Sequence, residues 1–309
     1  MEGIFILVIA LIIDIAVKEL PNRYHPVAWL GKAICRGLSW APKAVKAQLL
    51  YGAGIVLVML GLVTVLVYSS LFNLRQINMV AYILIAAFLL KLSFSFRGLA
   101  TAADGVKEFL ARDKLNEARL QLQSLVSRDT TNLDEDHLVS ATVESVAENS
   151  CDSFVAPLFY FLLLGVPGAV AYRIVNTFDT MIGYHGEWEY LGKFAARLDD
   201  VVNFLPARFT ALMIVIAAWL CQKDISGAWR VMLRDHNKTP SPNAGWTMSA
   251  AAGALGVQLE KIGHYKLGDN HYPLSPETIS ASLQIMAVAA LVWSLASILV
   301  EVVRFVVTT

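Results

Sequence analysis

The sequence predicts an all-α, polytopic integral membrane protein with about four to six membrane-embedded helices and cytoplasmic helical segments between them. Three observations predict it. Hydrophobic residues make up 56% of the chain and charged residues 16%, where soluble domains run near ~45–50% and ~25%. Mean hydropathy is +0.56. Several stretches reach the roughly 20 apolar residues a helix needs to cross a bilayer. The 25 basic and 25 acidic residues cancel, so no global field points to nucleic acid. Cys35, Cys151 and Cys221 are too scattered for a disulfide framework or a metal cluster.

Taken in order, residues 3–17 are apolar but short, and they carry Asp14. No basic residue precedes them and no small-residue cleavage motif follows, so they read as a retained membrane segment. Residues 49–72 and 77–96 qualify as spans, with Lys91 near one end, where its stem can snorkel. The 18–48 loop carries Lys18, Arg23, Lys32, Arg36, Lys43 and Lys46, whereas the turn between the two spans has only Arg75. That asymmetry puts 18–48 in the cytoplasm and the N-terminus outside.

Residues 97–153 read as a cytoplasmic helical insertion. Leu99, Ala103, Val106 and Leu110 recur at helical spacing, as do Leu115, Ala118, Leu122 and Leu125. Asp113 is a candidate cap for the second of these helices. Asp134 reads as the N-cap of a third, with an acidic first turn suited to the positive helix end. At about 100° per residue, His137, Ser140, Glu144, Glu148 and Asp152 fall on one stripe, and Leu138, Val139, Thr142, Val143 and Val146 lie on the other side. On acidity alone the stripe faces water.

Residues 154–166 are too short to span and are punctuated by Pro157, Pro167 and Gly168, which suits a buried or re-entrant segment. Residues 201–221 span only if Asn203, Pro206 and Arg208 lie at an interface or inside protein. Residues 222–280, with Lys223, Arg230, Arg234 and Lys238, read as a cytoplasmic helix-and-loop segment. Within it "SPNAG" (241–245) starts a helix with Asn243 as its cap, "MSAAAGALG" offers small residues for close packing, and "HYKLGDNHYP" is an irregular loop. Residues 281–307 form the last span. The chain 1–309 reads as one membrane-embedded domain.

Glu144, Glu148 and Asp152 are hard oxygen donors at i, i+4 spacing, the chemistry of Mg²⁺ sites completed by substrate phosphates. Arg128, Arg173, Arg197 and Arg208 are groups that grip phosphate or carboxylate bidentately. Arg173, Asn176 and Asp179 are spaced by three, Asp199 and Asn203 by four. Such a set suits phosphoryl transfer or acyl-phosphate chemistry, although ion pairs would use the same residues. "GEWEYLGKF" (186–194) is not a phosphate-binding P-loop, and no H-E-x-x-H, C-x-x-C or G-x-S-x-G occurs. The histidines at 25, 185, 236, 264 and 271 read as turn or interface residues.

Six blocks carry a resemblance: "HPVAWLG" (25–31), "LVSRDTTNLDEDHLVSATVES" (125–145), "ESVAENSCDSFVAPLFY" (144–160), "NTFDTMIGY" (176–184), "ARLDDVVNFLPARFTA" (196–211) and "SPNAGW" (241–246). Their order and spacing resemble the adenosylcobinamide-phosphate synthase family of cobalamin biosynthesis. The resemblance implies a multi-pass enzyme of the cell membrane, its site facing the cytoplasm. Such an enzyme is a ligase that forms a carbon–nitrogen amide bond between adenosylcobyric acid and (R)-1-aminopropan-2-ol or its phosphate, using ATP and Mg²⁺.

On that footing Glu144, Glu148, Asp152, Asp179 and Asp200 are the expected catalytic groups, the first three also expected around Mg²⁺. Arg128, Asn149, Arg173, Asn176, Asp199, Asn203, Arg208, Ser241 and Asn243 are expected to hold phosphate or corrin side chains. The face 137–152 forms one wall of the expected pocket and 176–208 the other, so 154–175 should not cross the bilayer. The expected partners are the two substrates, lipid, and further copies of the chain or other corrinoid-pathway membrane enzymes. A secondary transporter and a non-catalytic corrinoid-binding scaffold are the rival readings; a transporter would show paired interruptions in repeated halves, and the sequence has no such symmetry.

Overall fold

The computed structural model describes residues 1–17, 19–21, 23–183 and 188–308. Lys18 of the first loop, Tyr184 of the "NTFDTMIGY" block and His185 lie outside them. The described chain is predominantly helical, as expected. Four helical segments are long and apolar enough to cross a membrane, or five if residues 189–220 make one bent span. Its contacts divide it into two compact units, 1–95 with 156–202 and 297–309, and 96–155 with 203–296.

The first unit contains α1 (Glu2–Ala16), α2 (Pro26–Leu38), α3 (Val45–Ile77), α4 (Met79–Ser93), α8 (Ala156–Ile182), α9 (Glu189–Val202) and the end of α13 (Pro276–Thr308). The amphipathic α2 starts with Pro26 just inside its N-terminus, and the His25 ring accepts from the Val27 amide. It buries Ile34 and Leu38 against Ile174, Phe178 and Ile182 of α8. The α3 helix meets α9 where Gly52 faces the Leu191 carbonyl; a Cβ at Gly52 would sit 2.1 Å from that oxygen.

The α1 and α4 helices pack together and share a buried charge cluster. Lys91 does not snorkel. It is 5% exposed, with its Nζ 3.4 Å from Asp14 and 2.5 Å from Glu19, which also accepts from Ser95. Two carboxylates on α1 and its following loop make the interior the better place for the ammonium.

The α8 helix breaks at Gly165, whose φ of 68° and ψ of −163° belong to a region open to glycine alone. Pro167 supplies the cause: it lacks an N–H, and its ring would strike the carbonyl four residues earlier. The two halves fold back on each other. Tyr160 and Tyr172 stack at 5.4 Å, although twelve residues along a straight helix would separate them by about 18 Å. Gly168 lies against the Tyr160 carbonyl, where a Cβ would come within 2.6 Å. The Arg304 guanidinium of α13 donates to the Leu162 carbonyl, one of the acceptors that the end of a helix leaves without a backbone partner. The first half, nine residues, covers only about 13 Å, so 156–182 folds as a helical hairpin.

The second unit contains α5 (Phe96–Leu110), α6 (Leu115–Leu122), α7 (Glu135–Ser150), a π-turn (Cys151–Val155), α10 (Phe204–Leu220), α11 (Ile225–Asp235), α12 (Ala244–Leu255), β1 (Leu259–Lys261), β2 (Tyr265–Leu267) and the first part of α13. The α5 and α6 helices bury the apolar positions their spacing marks: Leu99, Ala103, Val106, Leu110, Ala118 and Leu122. Asp113 does not cap α6; it takes a left-handed turn conformation, φ 56°, and Lys114 occupies the N-cap position. The small residues of α12 allow the expected close packing, with Gly253 against the Gly227 carbonyl of α11.

The expected irregular loop at 264–273 begins instead with a strand: Tyr265–Leu267 pairs antiparallel with Leu259–Lys261 in a hairpin, with Leu259 opposite Leu267 and Lys261 opposite Tyr265. Gly263, at φ 73°, supplies the left-handed residue that a three-residue connection requires. The loop behind the hairpin is tied down by Asp235, which is fully buried. Its carboxylate takes a two-pronged hydrogen bond from Arg234 at 2.8 Å, a third from Lys238 and a fourth from the Gly268 amide. Burial alone would raise this carboxyl; the hydrogen bonds from Arg234, Lys238 and Gly268 overcome it and hold the group well below the usual range.

Candidate active site

Asp134 caps α7 as the sequence indicates, its side chain accepting from the His137 amide at 2.9 Å. The helix it starts is buried on every side between Leu138 and Ala147. The acidic stripe therefore does not face water at Glu144, which is 5% exposed.

Three donors hold that carboxylate. The Ser140 hydroxyl donates to Oε1 at 2.8 Å, the Tyr265 hydroxyl to Oε2 at 3.0 Å, and the Arg128 guanidinium to Oε2 at 3.3 Å. Ser140 also accepts from the Glu260 amide at 2.8 Å, which fastens β1 to α7. Burial, then the charges of Glu144 and Glu148, push the Tyr265 phenol far above its ordinary range, so it remains a donor throughout the neutral region. Glu148 and Asp152 follow along the helix, each half-buried. Asn149 donates to the Ser145 carbonyl and accepts from Ser153.

The π-turn at Cys151–Val155 follows this stripe, and such turns recur at functional sites. The Cys151 thiol reaches Asn203 Oδ1 at 3.8 Å. Arg208 lies between aromatic faces, 3.7 Å above Phe204 and 4.9 Å from Trp246, and donates to Asn243 Oδ1 at 3.0 Å. It pairs with no carboxylate among the described residues. Asn243 thus serves Arg208 and does not cap α12 with its side chain; the Ser241 hydroxyl takes that part, accepting from the amides of Asn243 and Ala244.

The other expected residues belong to the first unit. Arg173 donates to Asn176 Oδ1 at 3.1 Å on the second half of α8. Asp179 sits over Gly183, where a Cβ would collide with its carboxylate, and the charge of Asp200 on α9 acts on it. Asp200 accepts from the exposed Arg197 at 3.4 Å, and Asp199 is half-buried beside it.

Sequence reasoning missed Ser140 as a ligand of Glu144, and it missed Tyr265 altogether. The signal lay in "LEKIGHYKL", whose alternation around a glycine marks a hairpin.

Among the described residues no group of three or more His, Cys, Asp or Glu side chains is gathered to hold a metal ion. A magnesium ion held by one or two carboxylates plus phosphate oxygens needs no such group. Three of the roughly four acceptor positions of the Glu144 carboxylate are taken, one by a cation. The Glu144 carboxylate thus has little left to offer an ion.

The fold and these clusters define a multi-pass helical membrane protein with a buried, arginine-held carboxylate beside a half-buried acidic pair. The chain belongs to the CobD/Cbib protein family, whose model matches residues 7–292. It is 51% identical over 299 residues to the cobalamin biosynthesis protein CobD of Dehalococcoides mccartyi, covering 96% of this chain and 97% of the relative. A probable cobalamin biosynthesis protein CobD of Methanothermobacter thermautotrophicus is 39% identical, covering 96% and 97%. The cobalamin biosynthesis protein CobD of Photorhabdus laumondii is 34% identical, covering 91% and 92%. No solved structure gives a significant match.

Proposed function

We propose that this member of the family is an ATP-dependent amide ligase of the cell membrane. It would join a corrin propionate carboxylate, that of adenosylcobyric acid, to (R)-1-aminopropan-2-ol or its phosphate, with the site on the cytoplasmic side. A carboxylate is a poor electrophile. Its oxygen would attack the γ-phosphorus of ATP and release ADP, and the nitrogen of the amine would displace phosphate from the acyl phosphate as its ammonium proton passes to a base. The sum is amide, ADP, phosphate and a proton.

The observation that carries this reading is the α7 cluster: a carboxylate fixed by Ser140, Tyr265 and Arg128 at the head of a stripe that continues to Glu148 and Asp152. Glu148 and Asp152 are the groups that would hold Mg²⁺ and accept the proton. Bound there, the ion would neutralise charge on the transferring phosphoryl group. Glu144 would act through Arg128 and Tyr265 as a positioning residue. Arg208, stacked and without an acid partner among the described residues, suits a corrin carboxylate or carboxamide, with Asn149, Asn203, Ser241 and Asn243 as further polar contacts. Asp179 and Asp200 would serve as acid–base groups of the first unit, and Arg173, Asn176 and Asp199 as polar contacts there.

The test is ADP release from the purified protein in detergent, measured with each substrate omitted in turn. The expected result is ADP formed in step with amide and only when both acid and amine are present. Amide without nucleotide consumption, or ADP release indifferent to the acid, overturns the reading. A transporter or scaffold would form neither product.

A further inference from the structure

The outer face of α2, in the first unit, is basic and aromatic. Trp29, Ala33 and Arg36 fall on one stripe of the helix, Lys32 lies beside it, and Trp40 follows just past the helix end, all exposed. Trp29 is 53% and Trp40 74% exposed, and Tyr24, before the helix, is 57% exposed. Ile34 and Leu38 lie on the opposite side and are buried. Large aromatics gathered on one open face mark a surface that meets something else.

Charge narrows the choice. Arg23, Lys32, Arg36, Lys43 and Lys46 are all exposed, and the sequence holds no Asp or Glu from residue 20 to residue 103. The nearest acid along the chain, Glu19, turns inward to Lys91 and Ser95. Height narrows it further. The Tyr51 hydroxyl donates to the Gly37 carbonyl at 2.6 Å, and the Ile55 side chain fills the place that a Cβ on Gly37 would take. Tyr51 lies two turns into α3, about 9 Å along its axis, and the apolar run of that helix starts at Leu49. The end of α2 is therefore level with the start of a run long enough to cross the bilayer. Tryptophan and tyrosine settle at that level, and basic side chains there attract anionic headgroups.

We propose that the outer face of α2 docks on the headgroups of anionic phospholipids, with Trp29 and Trp40 anchored in the membrane surface and Lys32 and Arg36 holding lipid phosphates. An acidic soluble protein would meet the same charges, but the level of α2 against the α3 span and the two open tryptophans favour lipid. The proposal does not depend on the amide-ligase reading.

The experiment places the full-length protein in nanodiscs of equal phosphatidylglycerol and phosphatidylcholine, with dibrominated acyl chains on one lipid or the other. Bromine quenches nearby indoles. The emission of Trp29 and Trp40 is the difference between the natural protein and Trp29→Phe/Trp40→Phe. It should be quenched at least twofold more when phosphatidylglycerol carries the bromine. Salt at about 1 M, where the Debye length falls to roughly 3 Å, should bring that ratio toward one in the natural protein, with no substitution needed. Lys32→Gln/Arg36→Gln should do the same at low salt, and Lys32→Arg/Arg36→Lys should keep the preference. Equal quenching by the two lipids overturns the proposal, as does a preference that survives both salt and the loss of the two charges. Quenching by neither lipid also overturns it, since the face would then lie in water, open to a soluble partner.

Discussion

The Glu144 carboxylate sits in an interior that would ordinarily reject it, and Ser140, Tyr265 and Arg128 offset the cost by replacing water. Tyr265→Phe removes one hydrogen bond to a buried charge. It should lower stability by about 1.5–3 kcal/mol, read as a loss in thermal denaturation in detergent. Glu148→Gln should leave the melting temperature unchanged and reduce turnover by about 10²–10⁴-fold; a variant of full activity would remove Glu148 from the chemistry. Asp235 gives the pH signature. Its folded carboxyl lies below the unfolded value of about 3.9, so its contribution is complete above that pH and is lost as the solution is made more acidic. Denaturant midpoints of the natural protein and Asp235→Asn should differ most near neutrality and converge below about pH 4.

At the scale of elements, two pieces of the first unit depend on features that composition does not show. Lys91 binds α4 to α1 through Asp14 and Glu19. Lys91→Met leaves the buried Asp14 and the half-buried Glu19 without their cation and should cost up to about 3 kcal/mol, less than a fully buried pair because water reaches Glu19. Adding Asp14→Leu and Glu19→Gln should recover much of that loss in the same melting assay. The Gly165 bend makes a topological prediction. If the 156–182 segment returns to the side it entered from, a cysteine at exposed position 193, in a background lacking Cys151 and Cys221, labels from the same side as the natural, exposed Cys35. Labelling from opposite sides would mean that the hairpin is not re-entrant.

For the whole molecule, the sequence makes legible whatever depends on neighbours along the chain. The long apolar helices, the Asp134 cap, the helical spacing of 99–122 and the punctuation at Pro167 all follow from local length, period and proline chemistry. What it hides depends on partners far away. The 137–152 stripe looks like a face for water because its cover, Tyr265 and Glu260, comes about 120 residues later. Lys91 looks like an interfacial lysine because Asp14 and Glu19 are more than 70 residues earlier. Of the expected site residues, Glu144, Arg128, Arg208 and Asn243 were legible as residues but not in their pairings. Tyr265 lay in 264–273, read as an irregular loop, because its strand partner Leu259–Lys261 was not recognised.

The clasp from Arg304 to Leu162 spans 142 residues of chain. During synthesis the bent segment therefore leaves the ribosome long before the side chain that secures it exists. For that interval its loose carbonyl must be satisfied by water or by the insertion machinery, and the nascent bend waits for its distant fastening before it can lock.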